Sequence, residues 1–368
     1  MSAKTGHFFG EGLLKVFPPP QFLTMPATGV DITDNSVRFL SLQEGKKGKL
    51  IKERGSYPVD PGIISKGKIE DPEKMAEVLA ELRREHGITF INASLPEEQA
   101  YLFQTTIPNE PISQEQLRTI LEFKLEENVP ISSKDLVFDY EVVHDDNDAE
   151  ITLNITAFPY SIVIEYVEAF QAAGLKPLSF EIEAQSLARA IIPHHHSGTY
   201  MIVDFGKMRT GISIVSEEVL RFTSTVSVGG NTLTRVVQKH FGVTKEEADK
   251  IKNEKGFARY KENTELLETL MTTVSVLRDE ISRHYTYWNT HAGENEKEHE
   301  KIDKIILCGG SANLAGLPEY LSSSMNIVVE VANVWANTFS LNDVVPDIEQ
   351  PHSLAYATTV GLALKGIE

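Results

Sequence analysis

Residues 201–215, MIVDFGKMRTGISIV, constrain this chain more than any other stretch. An apolar run leads into Asp204, a Phe-Gly pair turns the chain, and a second apolar run from Gly211 to Val215 returns. Two apolar runs around a glycine turn predict a β-hairpin with a carboxylate at its mouth and a tight turn at Gly206. Such a turn exposes backbone N–H groups that can hold phosphate oxygens. A carboxylate opposite can hold hydrated Mg²⁺. Many hairpins carry Asp and Gly for turn geometry alone, so the chemistry needs independent support.

That support comes from three other stretches. Residues 29–42, GVDITDNSVRFLSL, repeat the design, with Asp31, a polar turn from Thr33 to Ser36, and an apolar return. Two such hairpins predict two related lobes facing each other. In residues 306–321, ILCGGSANLAGLPEYL, a β-branched strand runs into Gly309-Gly310. Ser311 or Asn313 is expected to cap the helix that follows, whose N-terminus favours an anion. In residues 226–237, VSVGGNTLTRVV, Gly229-Gly230 precede another helix.

The candidate ligands follow. Thr33, Asn35, Ser36 and Arg38 of the first turn, and Gly206, Lys207, Arg209 and Thr210 of the second, are phosphate-binding candidates. Asp31 and Asp204 are the metal candidates, acting on Mg²⁺ through water. Gly229, Gly230, Gly309, Gly310 and Ser311 would frame a ribose and base. There is no Walker A motif, GxGxxG fingerprint, HExxH or supported GxSxG, so those mechanisms gain nothing.

These four stretches, in this order, resemble the actin/Hsp70/sugar-kinase ATPase superfamily. Within it the chain is most similar to the PilM family of type IV pilus assembly proteins, relatives of the cell-division protein FtsA. The resemblance runs from about Gly29 to the C-terminus. It implies an α/β fold of duplicated, RNase H-like lobes with an inserted α+β subdomain, 1C. The expected division is a tail at 1–25 and subdomain 1A at 26–106, 179–199 and 350–368. Subdomain 1C takes 107–178, 2A takes 200–242 and 302–349, and 2B takes 243–301. The resemblance also implies ATP or ADP with Mg between the lobes. By position in the first interdomain helix, Glu183 matches the acidic residue of bacterial actins that orients water, the one catalytic candidate. It implies the N-terminal cytoplasmic peptide of PilN as partner, held in the groove between 1A and 1C. Other pilus platform proteins are further partners, and self-association is the alternative use of 1C. An FtsA-like filament protein and a small-molecule kinase are the competing functions. FtsA ends in a basic amphipathic helix, whereas this chain ends GLALKGIE, and no sugar motif is present.

The first turn departs from the family pattern. Thr33 stands for a glycine, Asp34-Asn35 for a serine pair, and Arg38 for a lysine. A β-branched residue disfavours positive φ, and Asp34 adds negative charge near an expected anion. Weaker nucleotide binding is the expectation, with slow hydrolysis at most.

Composition limits the remaining classes. At 368 residues the chain needs two or more subdomains, and its 41% hydrophobic and 24% charged content is that of a globular protein. A formal net charge of −18 opposes non-specific binding to nucleic acid or anionic lipid. No apolar run approaches the ~20 residues of a membrane helix. A cytoplasmic protein peripheral to the inner membrane through partners is expected. Cys308, the single cysteine, reads as a buried core thiol.

Among the elements, residues 73–85 read as an amphipathic helix started by Asp71-Pro72, and 113–130 as a helix with a Ser113/Gln116 capping box. Residues 145–150 read as an acidic hairpin tip, 194–196 (three histidines) as a solvated loop, and 293–301 as a surface loop. From 262 to 290 a long helix is expected, with Leu266, Leu270, Val274, Leu277, Ile281 and Trp288 on one buried face. Arg278 and Arg283 on its polar side are minor adenosine candidates, and 354–364 reads as the second interdomain helix.

Overall fold

The computed structural model describes residues 27–111, 113–143, 150–257, 264–290 and 300–365. The tail at 1–25, the acidic tip at 145–149, most of the 293–301 loop, the start of the long helix at 262 and the last three residues lie outside the described residues.

The first lobe opens with β1 (Thr28–Thr33), β2 (Ser36–Gly45) and β3 (Gly48–Pro58), an antiparallel meander. A small hairpin follows, β4 (Ile64–Ser65) and β5 (Lys68–Ile69), and then α1 (Pro72–His86). The ends of α1 are written in its sequence. Asp71 accepts the Lys74 N–H as N-cap, Pro72 occupies the first turn, and Gly87 closes the helix at φ 63°. Met75, Leu79 and Leu82 are its buried face, each contributing about 1.5–3 kcal/mol of burial. β6 (Phe90–Leu95) then pairs parallel to β1.

Next comes a unit with its own core: β7 (Tyr101–Pro108), α2 (Gln114–Asn128), β8 (Leu136–Val143) and β9 (Glu150–Pro159). The strands form a sheet in the order β7-β9-β8, and α2 packs Leu121 and Leu125 into a cluster with Ile107, Leu153 and Ile155. The Ser113/Gln116 capping box is present. The chain rejoins the main core at α3 (Tyr160–Ala172), whose Tyr166 and Phe170 are fully buried there, and β10 (Lys176–Ile182). The separately cored unit therefore begins at β7 and ends with β9. The expected 107–178 cuts through β7 and takes in α3, which buries Tyr166 and Phe170 in the main core and packs with α1 while also touching β8 and β9.

The helix α4 (Glu183–Ile191) leaves β10 directly and crosses to the second lobe. That lobe repeats the first: β11 (Thr199–Phe205), β12 (Thr210–Ser216) and β13 (Val219–Val226) form an antiparallel meander. After α5 (Gly230–Phe241), α6 (Lys245–Lys255) and α7 (Thr264–Thr290), β14 (Lys304–Cys308) pairs parallel to β11. Then α8 (Leu317–Met325) leads to β15 (Val329–Val331), and α9 (Ala357–Lys365) closes the chain. Numbered by appearance, both five-stranded sheets have the order 3-2-1-4-5, the duplication the paired hairpins predict.

The buried helices α4 and α9 lie against each other between the lobes. A Cβ on Gly361 of α9 would sit 1.8 Å from the Ser186 carbonyl of α4, so only glycine permits this contact. On α7 the buried face ends in His284, and Trp288 is only half-buried. Cys308 is buried. No helix among the described residues is long and apolar enough to cross a membrane.

Candidate functional site

The two hairpins meet across a cavity of about 310 Å³ between the lobes. Asp31, Thr33, Asn35 and Arg38 line one side, and Asp204, Gly206, Lys207 and Arg209 the other. Gly230, Gly309, Gly310, Ser311 and Glu183 complete the predicted set at its wall. Three predicted residues stand behind the wall. Ser36 is buried and closes its turn, its N–H donating to Thr33 Oγ1 at 3.2 Å. Thr210 is buried and donates to the Val228 carbonyl at 2.6 Å. Gly229 packs against the 207–209 backbone, where a Cβ would lie 2.5 Å from Met208. Their job is to shape the loops.

Thr33 pairs with Ser36 across a two-residue Asp34-Asn35 turn and stays out of the positive-φ region, so its branch causes no strain. Asp34 accepts the Gly67 N–H at 3.1 Å and lies 3.9 Å from Arg209 Nη1. Its charge is thus partly spent within the protein. In the second hairpin the Gly206 N–H bonds the Arg209 carbonyl at 3.0 Å. The first amides of α5 donate back to this loop, Gly230 to Gly206 and Asn231 to Lys207.

After β14 the expectation of an immediate helix fails. Gly309 takes φ 86°, the chain turns through Ser311 and Asn313, and α8 begins only at Leu317 with Gly316 as its N-cap residue. No helix dipole points from Ser311 into the cavity. Gly309 serves by absence of bulk, since a Cβ there would sit 2.2 Å from Asp204 Oδ1. Gly230 does the same for Ser311 Oγ, also at 2.2 Å.

The electrostatics centre on carboxylates. Ser94 Oγ donates to Asp31 Oδ1 at 2.7 Å. Burial and then Asp31 push Asp204 up to about 6, against the pull of Arg209 and Arg38. A carboxylate raised by burial and by a second carboxylate is a pair short of positive charge, which a hydrated divalent cation would supply. Two carboxylates in one cavity, Asp31 and Asp204, suit an ion held largely through its own water. The glycine-cleared wall, Arg38 and Lys207 suit a phosphate chain beside it.

Arg209 is engaged elsewhere. Its Nη2 donates to Glu183 Oε1 at 2.8 Å, and its Nη1 meets Glu98 Oε1 at 2.9 Å. Burial works against its charge, but Glu183, Glu98 and Asp34 hold its pKa above the ordinary value. Burial raises Glu183 well above the carboxylate range, Arg209 opposing and Asp31 adding to it. Burial lifts Glu97 to about 8, again with Arg209 opposing and Asp204 adding.

The sequence reading missed Glu97, Glu98 and the α6 residues Asp249, Lys252 and Asn253, the last three at the cavity wall. Lys252 Nζ is buried and donates to Asp249 Oδ1 at 2.7 Å and Thr234 Oγ1 at 2.9 Å. A signal existed: the Thr244/Glu247 capping box fixes the phase of α6 and puts Lys252 on its buried face with Ala248. Arg278 and Arg283 do not reach the wall. They pair with Asp279 and Glu280 on the outer face of α7. The three histidines gather no metal-ligating cluster among the described residues.

Comparison with known proteins places this geometry. The structure superposes on a PilM–PilN type IV pilus biogenesis complex with TM-score 0.74 and 17% identity, over 93% of this chain and 99% of that one. It matches the ethanolamine utilization protein EutJ from Carboxydothermus hydrogenoformans with TM-score 0.53 and 14% identity, over 94% and 90% of the two chains. MreB5 of Spiroplasma citri bound to AMPPNP also gives 0.53, at 11% identity over 92% and 95%. These likenesses establish the actin-like ATPase fold. The profile of the type IV pilus assembly protein PilM family matches residues 29–367, and the chain belongs to that family.

Proposed function

We propose that this chain is a nucleotide-binding scaffold of the type IV pilus inner-membrane assembly platform. It would hold ATP or ADP with Mg between its lobes and the N-terminal cytoplasmic peptide of PilN in a groove beside the small subdomain. One observation carries the nucleotide half: two equivalent hairpins bring Asp31 and Asp204 to a single cavity in a PilM-family chain. Asp31 and Asp204 would hold the hydrated ion, and Arg38 and Lys207 would meet the phosphates. Gly309, Gly310 and Ser311 would leave room for the nucleoside, with Lys252 behind. Bound ATP would supply a compact polyanion that bridges the lobes, and a phosphoryl group able to pass to water. Glu183, the residue suited to orienting that water, is paired with Arg209, so hydrolysis is slow at most. No small-molecule phosphorylation is expected.

The partner half is supported by two sheet edges that carry no further strand among the described residues. β8 ends the small sheet and β10 ends the first lobe's main sheet. Glu141 on β8 is exposed and lies within electrostatic reach of Glu181 at the end of β10 and of its partners Arg189 and Lys365. Val142 on β8 and Leu178 on β10 are exposed. Such edges and exposed apolar side chains suit an extended peptide, and the acidic chain suits a basic one. With no membrane-spanning helix among the described residues, attachment to the inner membrane would come through such partners. Other platform proteins and a second copy of the chain are further partners on this account.

Capture of an immobilised PilN N-terminal peptide tests the partner half. Val142→Asp with Leu178→Asp should reduce capture by roughly tenfold or more while leaving the fold intact. Equal capture by wild type and variant would put the peptide elsewhere, and no capture by the folded wild type would remove PilN.

A further inference from the structure

Arg209 belongs to the second lobe, yet the carboxylates it meets belong to the first. Glu183 lies at 2.8 Å, Glu98 at 2.9 Å and Asp34 at 3.9 Å, around a guanidinium side chain only 17% exposed. Two of these contacts lead to the root of the three-stranded subdomain. Glu98 sits in the turn Glu97–Gln99, which feeds β7 at Tyr101. Asp34 accepts the Gly67 N–H, the Gly67 carbonyl accepts the Tyr166 hydroxyl at 2.8 Å, and Tyr166 belongs to α3, which continues from β9. β7 and β9 pair with each other, so the contacts starting at Arg209 reach both. The Glu97–Gln99 turn also holds two buried atoms without hydrogen-bond partners among the described residues, Glu97 Oε1 and Glu98 Oε2. Arg209 is the charge that neutralises this turn. One guanidinium cannot serve these carboxylates and an arriving phosphate in full at once.

We propose that Arg209 couples the interlobe cavity to the three-stranded subdomain. An anion entering the cavity competes with Glu98 and Asp34 for the guanidinium, and the turn before β7 then loses its counter-charge and loosens. The proposal rests on the cavity being a nucleotide site, as argued above. One buried side chain with two alternative sets of partners is the kind of two-state element that coupling requires.

Hydrogen–deuterium exchange of the full chain tests this, read over residues 97–108 with and without Mg·ATP, with binding followed by calorimetry. Saturation should raise exchange there by roughly threefold or more. Arg209→Gln should show the raised exchange without ligand and no further response. Glu98→Gln, which keeps the Arg209–Glu183 pair, is the second variant should Arg209→Gln fail to fold: with no charge at 98 to be left unmatched, it should bind nucleotide without the rise in exchange. Unchanged exchange in a wild type that binds nucleotide overturns the coupling and leaves the nucleotide site standing. If calorimetry shows no binding, the nucleotide site falls, and equal ligand-free exchange in wild type and Arg209→Gln overturns the coupling as well.

Discussion

Arg209 Nη2 and Glu183 Oε1 meet at 2.8 Å, joining the second lobe's hairpin to the first turn of α4. The pair is largely buried, with side chains 17% and 10% exposed. Without Arg209, burial leaves Glu183 to take a proton, so the loss is that of the hydrogen bonds to Glu183 and Glu98 rather than of a full ion pair. Arg209→Ala should therefore cost about 1–3 kcal/mol of stability, read as a fall in the denaturant midpoint. Arg209→Ala combined with Glu183→Ala should cost less than the sum of the two single changes. Strict additivity would show that the two side chains do not interact.

Glu97 carries a pH signature. Its pKa is raised by burial to about 8, so the folded state prefers the protonated acid. The stability it contributes is full below the ordinary carboxylate pKa and is lost as pH rises through about 8. Glu97→Gln keeps the neutral form at every pH. It should match wild type near pH 4 and exceed it at pH 9 by on the order of a few kcal/mol. Parallel stability–pH curves for the two proteins would contradict this.

Glu181 carries the opposite signature. Burial alone would raise its pKa, but hydrogen bonds and charge from Arg189 and Lys365 hold it below the ordinary value. Lys365 Nζ lies 2.8 Å from Glu181 Oε2, and Arg189 also bonds the Gly361 carbonyl, so the cluster ties β10, α4 and α9 together. A depressed carboxylate stabilises above its unfolded pKa and loses that contribution as pH falls through the folded one. Wild type should lose stability in acid, and Glu181→Gln should be weaker at pH 7 but flatter below the carboxylate range. An equally steep acid limb in the variant would assign the acid sensitivity to other groups.

Much of the fold was legible because its signals are local. Asp31 and Asp204 each stand near the end of an apolar run before a polar turn, and the duplicated order of the sheets follows from those hairpins. β7 was not legible. It follows β6 after the three-residue turn Glu97–Gln99, with no glycine or asparagine to announce a change of sheet. The start of α8 was misplaced because Ser311 and Asn313 look like caps, whereas Pro318 in the first turn marks the real start at Leu317. Glu97 and Glu98 escaped notice because their role exists only once Arg209, over a hundred residues later, packs beside them. Such roles arise in tertiary packing and leave no periodic trace.

Gly309 is a sharper test of the cavity wall. Its φ of 86° and the 2.2 Å that would separate a Cβ from Asp204 Oδ1 both exclude a side chain. Gly309→Ala should cost about 1–3 kcal/mol of stability from backbone strain. It should also weaken nucleotide binding by displacing the Asp204 carboxylate. A variant that binds as wild type does would show that Asp204 is free to move without loss.

The most direct measurement is calorimetric titration of ATP and ADP into the folded full chain, with and without Mg²⁺, beside Asp204→Ala. Wild type should bind one nucleotide per chain in the presence of Mg²⁺. Affinity should fall by roughly tenfold or more without the ion or in Asp204→Ala. No heat from either nucleotide with Mg²⁺ present, or equal affinity in wild type and Asp204→Ala, would contradict a Mg-dependent nucleotide site between the lobes.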